Sequence, residues 1–380
     1  LLQLPGIYPT EVLFGLSRLL KTKQIPEVGV IAVELEAASR PIYFESPVAA
    51  QDRRIEHPLD FEWHFSKEGA KRVCEEILRL CGKDNGEVLC LGCPSVYAFG
   101  KQNLKNYNFR LWDKNVRHLG QIEEAREVAC VDVFDSFESG KKADFVVLDP
   151  PWYNPYYLLF LWAAAHCLAK GGYVVLSFPP EGTRPSVKTE RRELVLWCKR
   201  NGFQIEKRIP NSLKYRSPLF EVNALKAQGV TKFPLDWRRG DLFVLKKSSD
   251  EVPAKPDVLI PNEKWEEVRV GHVRIKVSCS KKSGRGLLVP AMSEAVIPSV
   301  SSRHPARRLA NVVTSGNRFL CTNAPEELVG CLSLLKSNGA KSMVDSFLAA
   351  KNPLLMRKAL DLILSEEIEA ADYFWRINEI

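Results

Sequence analysis

From Gly86 to Lys246, short apolar runs alternate with longer stretches whose apolar residues recur at helical spacing. The runs are Gly86 to Leu91, Asn108 to Trp112, Glu127 to Val133, Ala143 to Leu148, Gly172 to Phe178, Phe203 to Arg208 and Asp241 to Lys246. Each is too short for a helix, and most are apolar on both alternating faces, as strands covered from both sides must be. Helices are expected over about Lys67 to Cys81, Pro155 to Ala169 and Lys188 to Asn201. The first has Ser66 as a plausible N-cap and Ala70, Val73, Cys74, Ile77 and Leu78 on one face. Strand–helix alternation predicts an α/β domain with a doubly wound, mostly parallel sheet. Such sheets bind ligands beyond the carboxyl ends of their strands.

The fourth run ends in Asp149-Pro150-Pro151-Trp152, followed by Tyr153 and Asn154. Asp-Pro-Pro also occurs in ordinary turns, so its place at a strand end matters. There the carboxylate of Asp149 suits one hydrogen of a planar amino group, and the Pro150 carbonyl the other. Pro151 stiffens the turn, and Trp152 offers a flat face for a base. Asp149, Pro150, Pro151 and Trp152 are the expected catalytic residues of a methyl transfer to an amino nitrogen: adenine N6, cytosine N4 or, less often, a protein amine.

A methyl donor of the S-adenosylmethionine type needs a close backbone approach, an acid for its ribose and a wall for its adenine. Gly92, in the turn after the first run, supplies the approach. Asp113 ends the second run, and Asp132 with Val133 ends the third. Asp149 completes the expected cofactor edge. The glycine turn is not a G-x-G-x-x-G, and its weight comes from its order before Asp149.

These residues carry a resemblance. Phe61-Glu62-Trp63-His64-Phe65, Cys90-Leu91-Gly92-Cys93-Pro94, Leu111-Trp112-Asp113 and Asp149-Pro150-Pro151-Trp152 follow one another. The pattern resembles the class I methyltransferases of the N6-adenine type, a family that includes zinc-knuckle ribosomal-RNA adenine methyltransferases and lysine-methylating relatives. It spans about Leu59 to Lys247. The resemblance implies a Rossmann-like methyltransferase fold, S-adenosylmethionine as cofactor, and Trp63, Phe65 and Pro94 on the cofactor side. No zinc-knuckle spacing is present, so ribosomal RNA is not supported as the substrate.

Substrate contacts are expected from Tyr153 and Tyr156, from Phe178 and Pro179 at the end of the fifth run, and from Lys214, Tyr215 and Arg216, read as a loop. Basic residues among aromatics suit phosphate contact and base stacking. Arg191 and Arg192 read instead as a solvated helix face. The net charge of +8 favours an acidic partner, nucleic acid above all, without establishing one. A protein lysine substrate and a catalytically inactive scaffold remain the alternatives.

Residues 1–58 read as an α/β lead-in and 59–247 as the methyltransferase domain, with a polar, proline-rich linker over 248–256. Residues 257–380 read as a β-rich module with a helical tail that binds substrate or a protein partner. In it, Glu267 to Ser278 alternates like one strand, and basic clusters stand at 281–286 and 302–308. The ten cysteines are scattered, many in apolar segments, as in a reduced intracellular protein rather than a disulfide frame. Cys90 and Cys93 have no second pair at zinc spacing, and His272 and His304 no companion, so no metal is expected. No apolar run spans a membrane, and the first residues lack the basic and apolar regions of a secretory signal.

Overall fold

Two alternating sets of side chains on the same strands build two cores, one on each face of a single sheet. The computed structural model describes residues 55–378 apart from 83, 116–126, 134–141, 261–262, 282, 285 and 339–349. The lead-in expected over 1–58 lies almost wholly outside these, as do Lys282 and Arg285. The first sheet has eight strands: β1 (His64–Phe65), β2 (Gly86–Leu91), β3 (Tyr107–Asp113), β4 (Val128–Cys130), β5 (Ala143–Leu148), β6 (Leu168–Phe178), β7 (Phe203–Arg216) and β8 (Arg239–Lys247). Their order is β1-β7-β8-β6-β5-β2-β3-β4. β2 to β6 are parallel, whereas β8 runs antiparallel between β6 and β7.

Leu89, Leu91, Val146, Leu148, Val174 and Leu176 point to one face. There they meet helices α3 (Asn154–Cys167) and α4 (Val187–Arg200). Val88, Cys90, Phe145, Val147, Val175 and Val244 point to the other, under α1 (Lys67–Cys81) and α2 (Pro94–Asn103). Helices on both faces make the sheet doubly wound and Rossmann-like. The Ser66 cap is real: its Oγ accepts from Gly69 N–H at 3.1 Å.

The sixth run extends well past Arg208, so Lys214, Tyr215 and Arg216 lie on a strand and not in a loop. Pro210, Asn211 and Ser212 lie past the expected end of the run. The strand absorbs them as a bulge between Ile209 and Leu213, with Asn211 at φ 53° and its N–H donating to Asp241. A short helix, α5 (Leu219–Lys226), follows.

Residues 248–256 carry neither helix nor strand. Beyond them lies a five-stranded sheet of β9 (Glu266–Val270), β10 (Val273–Val277), β11 (Val289–Pro290), β12 (Val312–Thr314) and β13 (Phe319–Cys321). The single strand expected over 267–278 is instead a β9–β10 hairpin. It turns at Gly271, whose φ of 59° an L side chain rarely adopts. After the one-turn helix α6 (Ala306–Leu309), the described residues of the helical tail form helices α7 (Pro325–Asn338) and α8 (Pro353–Asn378). Leu328, Leu332, Met356, Ala359 and Ile363 press onto Val273, Ile275 and Val312 of the sheet. Among the described residues no helix is long and apolar enough to cross a membrane.

Candidate active site

β5 delivers Asp149 to the carboxyl edge of the large sheet, flanked by β2 and β6. The chain then turns sharply into α3. Tyr153 N–H donates to the Pro151 carbonyl at 2.6 Å, and the Tyr153 carbonyl accepts from Tyr156 at 3.0 Å. Pro155 sits in the first helical turn, where a missing N–H costs nothing.

Asp149 does not stand alone. Its Oδ1 accepts a hydrogen bond from Tyr215 Oη at 2.6 Å. Tyr215 Oη in turn shares a short hydrogen bond with Ser177 Oγ of β6. Burial pushes the Asp149 carboxyl up to about 7, and the hydroxyls of Tyr215 and Ser177 pull against that rise. The residue as a whole is half-buried, with its carboxyl on the inner side. A carboxyl shifted this far at the carboxyl edge of a parallel sheet is a candidate functional group.

Aromatic rings wall this carboxylate. Trp152 meets Tyr215 edge-on, with centroids 5.6 Å apart. Phe65 of β1 pairs opposite Tyr215 on β7, ring centroids 4.6 Å apart. The guanidinium of Arg238 lies 5.4 Å from the Trp152 ring, 5.1 Å from Trp63 and 5.1 Å from Trp237. Arg238 is itself buried and bonded to the buried Glu221 (Nε–Oε1 3.0 Å). Trp63 Nε1–H also reaches Glu221, at 3.4 Å. This buried ion pair gathers three indoles beside the motif. Phe61 holds a φ of 55°, rare for a bulky residue. Its ring contacts Tyr153 at 5.9 Å and Tyr156 at 5.7 Å.

The parallel order β5-β2-β3-β4 brings the other expected cofactor residues to the same edge. Gly92 follows β2 at φ 64°, and its N–H donates to the Trp112 carbonyl at 2.9 Å. A Cβ there would adopt a strained backbone and stand 3.4 Å from Phe160. Pro94 begins α2. Asp113 ends β3, its Oδ1 accepting from Asn115 N–H at 2.7 Å, and burial raises its carboxyl above the ordinary range. Asp132 is partly buried near Tyr156, whereas Val133 is packed into the large core. A glycine cradle followed by a partly buried acid is a donor set suited to the amino-acid and ribose portions of S-adenosylmethionine.

Several expected substrate residues are placed elsewhere. The Phe178 ring is fully buried against Tyr157 and Phe243, so it supports the site from below. Pro179 is buried too, and its carbonyl accepts from Arg191 Nη2 at 3.0 Å. Arg191 is no solvated helix residue, since it bridges Glu181 and Asp241 from a buried position. Lys214 and Arg216 flank Tyr215, and strand alternation turns them to the opposite face. There Lys214 pairs with Glu68 and Asp236, and Arg216 with Glu56. Their charges serve the fold, and only Tyr215 reaches Asp149. Cys90 and Cys93 are buried free thiols, with Cys93 Sγ donating to the Leu91 carbonyl at 3.3 Å. Of the residues the sequence left without a role, Ser177, Glu221 and Ser302 have no local signal. They are distant along the chain from the groups they contact.

Residues 62–209 match the model of a family described as probable N6-adenine methyltransferase. No curated protein sequence matches the chain. Among solved structures, a branched-chain polyamine synthase variant from Thermus thermophilus, in complex with a polyamine and 5′-methylthioadenosine, is 15% identical. The match covers 54% of this chain and 63% of that one, with a TM-score of 0.45. The chain thus spans less than two thirds of that structure's length. A putative RNA methyltransferase from Pyrococcus horikoshii is 15% identical over 56% of this chain and 95% of its own, with a TM-score of 0.36. An N-methyltransferase from Bradyrhizobium japonicum is 14% identical over 47% and 96%, with a TM-score of 0.31. A methyltransferase family implies S-adenosylmethionine as its cofactor, and the residues at the carboxyl edge fit that group.

Proposed function

Taking residues 62–209 as a domain of the N6-adenine methyltransferase family, we propose that the protein methylates an exocyclic amino group, adenine N6 in RNA or DNA. One observation carries the reading: Asp149, titrating near neutrality, is fixed by Tyr215 at the carboxyl edge of β5 and walled by Trp152. Gly92 and Asp113 hold S-adenosylmethionine, which when bound supplies a methyl group already activated for in-line transfer.

The chain's own part is orientation and electrostatics. Tyr215 occupies Oδ1 of Asp149, so the carboxylate presents its other oxygen to one amino hydrogen. The Pro150 carbonyl takes the second. Holding both hydrogens aims the nitrogen lone pair along the transfer line and favours its change from planar to pyramidal. Trp152 stacks on the base. A paired base would first have to leave its stack, so single strands are the easier substrate.

The test is methyl transfer from a labelled donor to total RNA, DNA and protein, followed by nucleoside analysis. N6-methyladenosine or its deoxy form is the expected product. Label confined to protein would overturn the nucleic-acid reading.

A further inference from the structure

The turn from Ser301 to Arg303 belongs to the C-terminal module, yet it packs on the residue that follows the motif. Ser302 N–H donates to Tyr153 Oη at 2.9 Å. The Arg303 guanidinium lies 5.6 Å from the centroid of the Tyr153 ring, and that of Arg184 lies 5.3 Å away. Phe61 adds its edge to Tyr153 and leans on Tyr156. Rings and cations from four separate parts of the chain therefore meet at Tyr153, the residue after Trp152.

Charge does not balance at this spot. Glu190 is the carboxylate that both guanidiniums share. It ion-pairs closely with Arg184 and accepts from Ser186 Oγ at 2.8 Å. Arg303 reaches Glu190 and Ser186 only at 3.5 Å, the outer limit of a hydrogen bond. Its side chain is 59% exposed, against 17% for Arg184. One carboxylate facing two guanidiniums leaves a positive surplus on the exposed member. So loose and exposed a pair contributes little to stability, and an arriving anion loses little by displacing it. Arg307 of the same basic cluster is turned away, donating to the carbonyls of Pro58 and Val300.

We infer that this turn is part of the acceptor site: Arg303 grips a phosphate of a single-stranded nucleic acid whose bases lie against Tyr153, Tyr156 and Phe61. The inference rests on the methyltransferase reading of the motif. A guanidinium beside aromatic faces is the combination that single-strand binders use, phosphate by charge and base by stacking.

The experiment uses the full chain and fluorescence anisotropy with matched single-stranded RNA and DNA oligonucleotides containing adenine, across a salt series. Arg303→Ala is expected to weaken binding about 5- to 10-fold and lower the salt slope by about one. It should also raise KM for the oligonucleotide more than it lowers kcat. Arg303→Lys should restore most of the affinity, and calorimetry should show the same donor affinity in all variants. Arg308, exposed in the same cluster, serves as control, and Arg308→Ala should bind like the parent protein. The inference is overturned if Arg303→Ala keeps the parental affinity and salt slope, or if Arg308→Ala loses as much. A parent protein that methylates the oligonucleotide while Arg303→Ala behaves identically sinks this inference alone. A parent protein that neither binds nor methylates either strand sinks the reading beneath it.

Discussion

At the scale of single residues the proposed chemistry turns on the hydrogen bond between Tyr215 Oη and Asp149 Oδ1. Removing the carboxylate with Asp149→Ala should cut methyl transfer roughly 10²- to 10³-fold or more. Donor binding by calorimetry should be nearly unchanged. The ionised carboxylate is the form that accepts an amino hydrogen. With the carboxyl at about 7, activity should climb as pH rises through neutrality and level off above it. Tyr215→Phe deletes a bond that favours the charged form, so the rising limb of the pH–rate profile should move up by about one pH unit. A profile left in place would show that Tyr215 only fills space. The same burial has a cost in stability. The folded carboxyl lies above its ordinary value of 3.8, so the native state holds a proton that the unfolded state has released. Between about pH 4 and pH 7 this group makes folding less favourable as pH rises. Asp149→Asn should therefore raise the melting temperature at pH 8, and the gain should vanish toward pH 4.

Elements decide which neighbours of Tyr215 reach the site. Strand alternation separates Tyr215 from Lys214 and Arg216, which a loop would not do. The basic-aromatic triplet was legible as a cluster but not as two opposite faces. Pro210 and Asn211 hid the continuity of β7, because a breaker and a bulge look alike until the partner strand is known. Helix limits were easier, since the Ser66 cap and the apolar spacing that follows are local signals. Burial of Arg191 was not legible, because Asp241 comes from a distant strand. The pair between Glu221 of α5 and Arg238 beside β8 is the device that fixes the indoles. Glu221→Ala leaves a buried guanidinium without its carboxylate and should cost about 3–5 kcal/mol in chemical denaturation. Trp fluorescence should change with it, because Trp63, Trp152 and Trp237 surround that guanidinium.

At the scale of the whole molecule the C-terminal module is bolted to the segment that enters the large sheet. Arg274 of β10 is 2% exposed and bonds Asp60 and Glu62 at 2.6 Å each and Glu267 at 2.8 Å. Lys276 joins Asp60 as well. Asn223 of α5 donates to the Gly316 carbonyl at 3.0 Å, and Tyr373 of α8 donates to the Ser217 carbonyl at 2.9 Å. Phe61 and Trp63 flank Glu62, so the module positions two rings of the site through this network. Arg274→Met would leave Glu62 buried without its cation and Asp60 with Lys276 alone. A loss of about 3–5 kcal/mol is expected; the parent protein should unfold in one calorimetric transition and the variant in two, as the modules uncouple. One intact, unshifted transition would show that the network does not couple them.

The sequence by itself determined the doubly wound sheet, the strand that ends at Asp149 and the turn beyond it. Local rules govern all three: strand alternation, helical spacing, a cap, and proline's fixed backbone. It also put Gly92, Asp113 and Asp149 in an order that a parallel sheet must bring to one edge. Tertiary structure alone decided that Tyr215 bonds Asp149, that Phe178 is core, that Arg238 is spent on Glu221, and that Ser302 and Arg303 reach Tyr153. Those contacts join residues from 17 positions to well over a hundred apart. Which side chains meet there is fixed by packing and charge pairing across elements, and no local pattern in the chain records that.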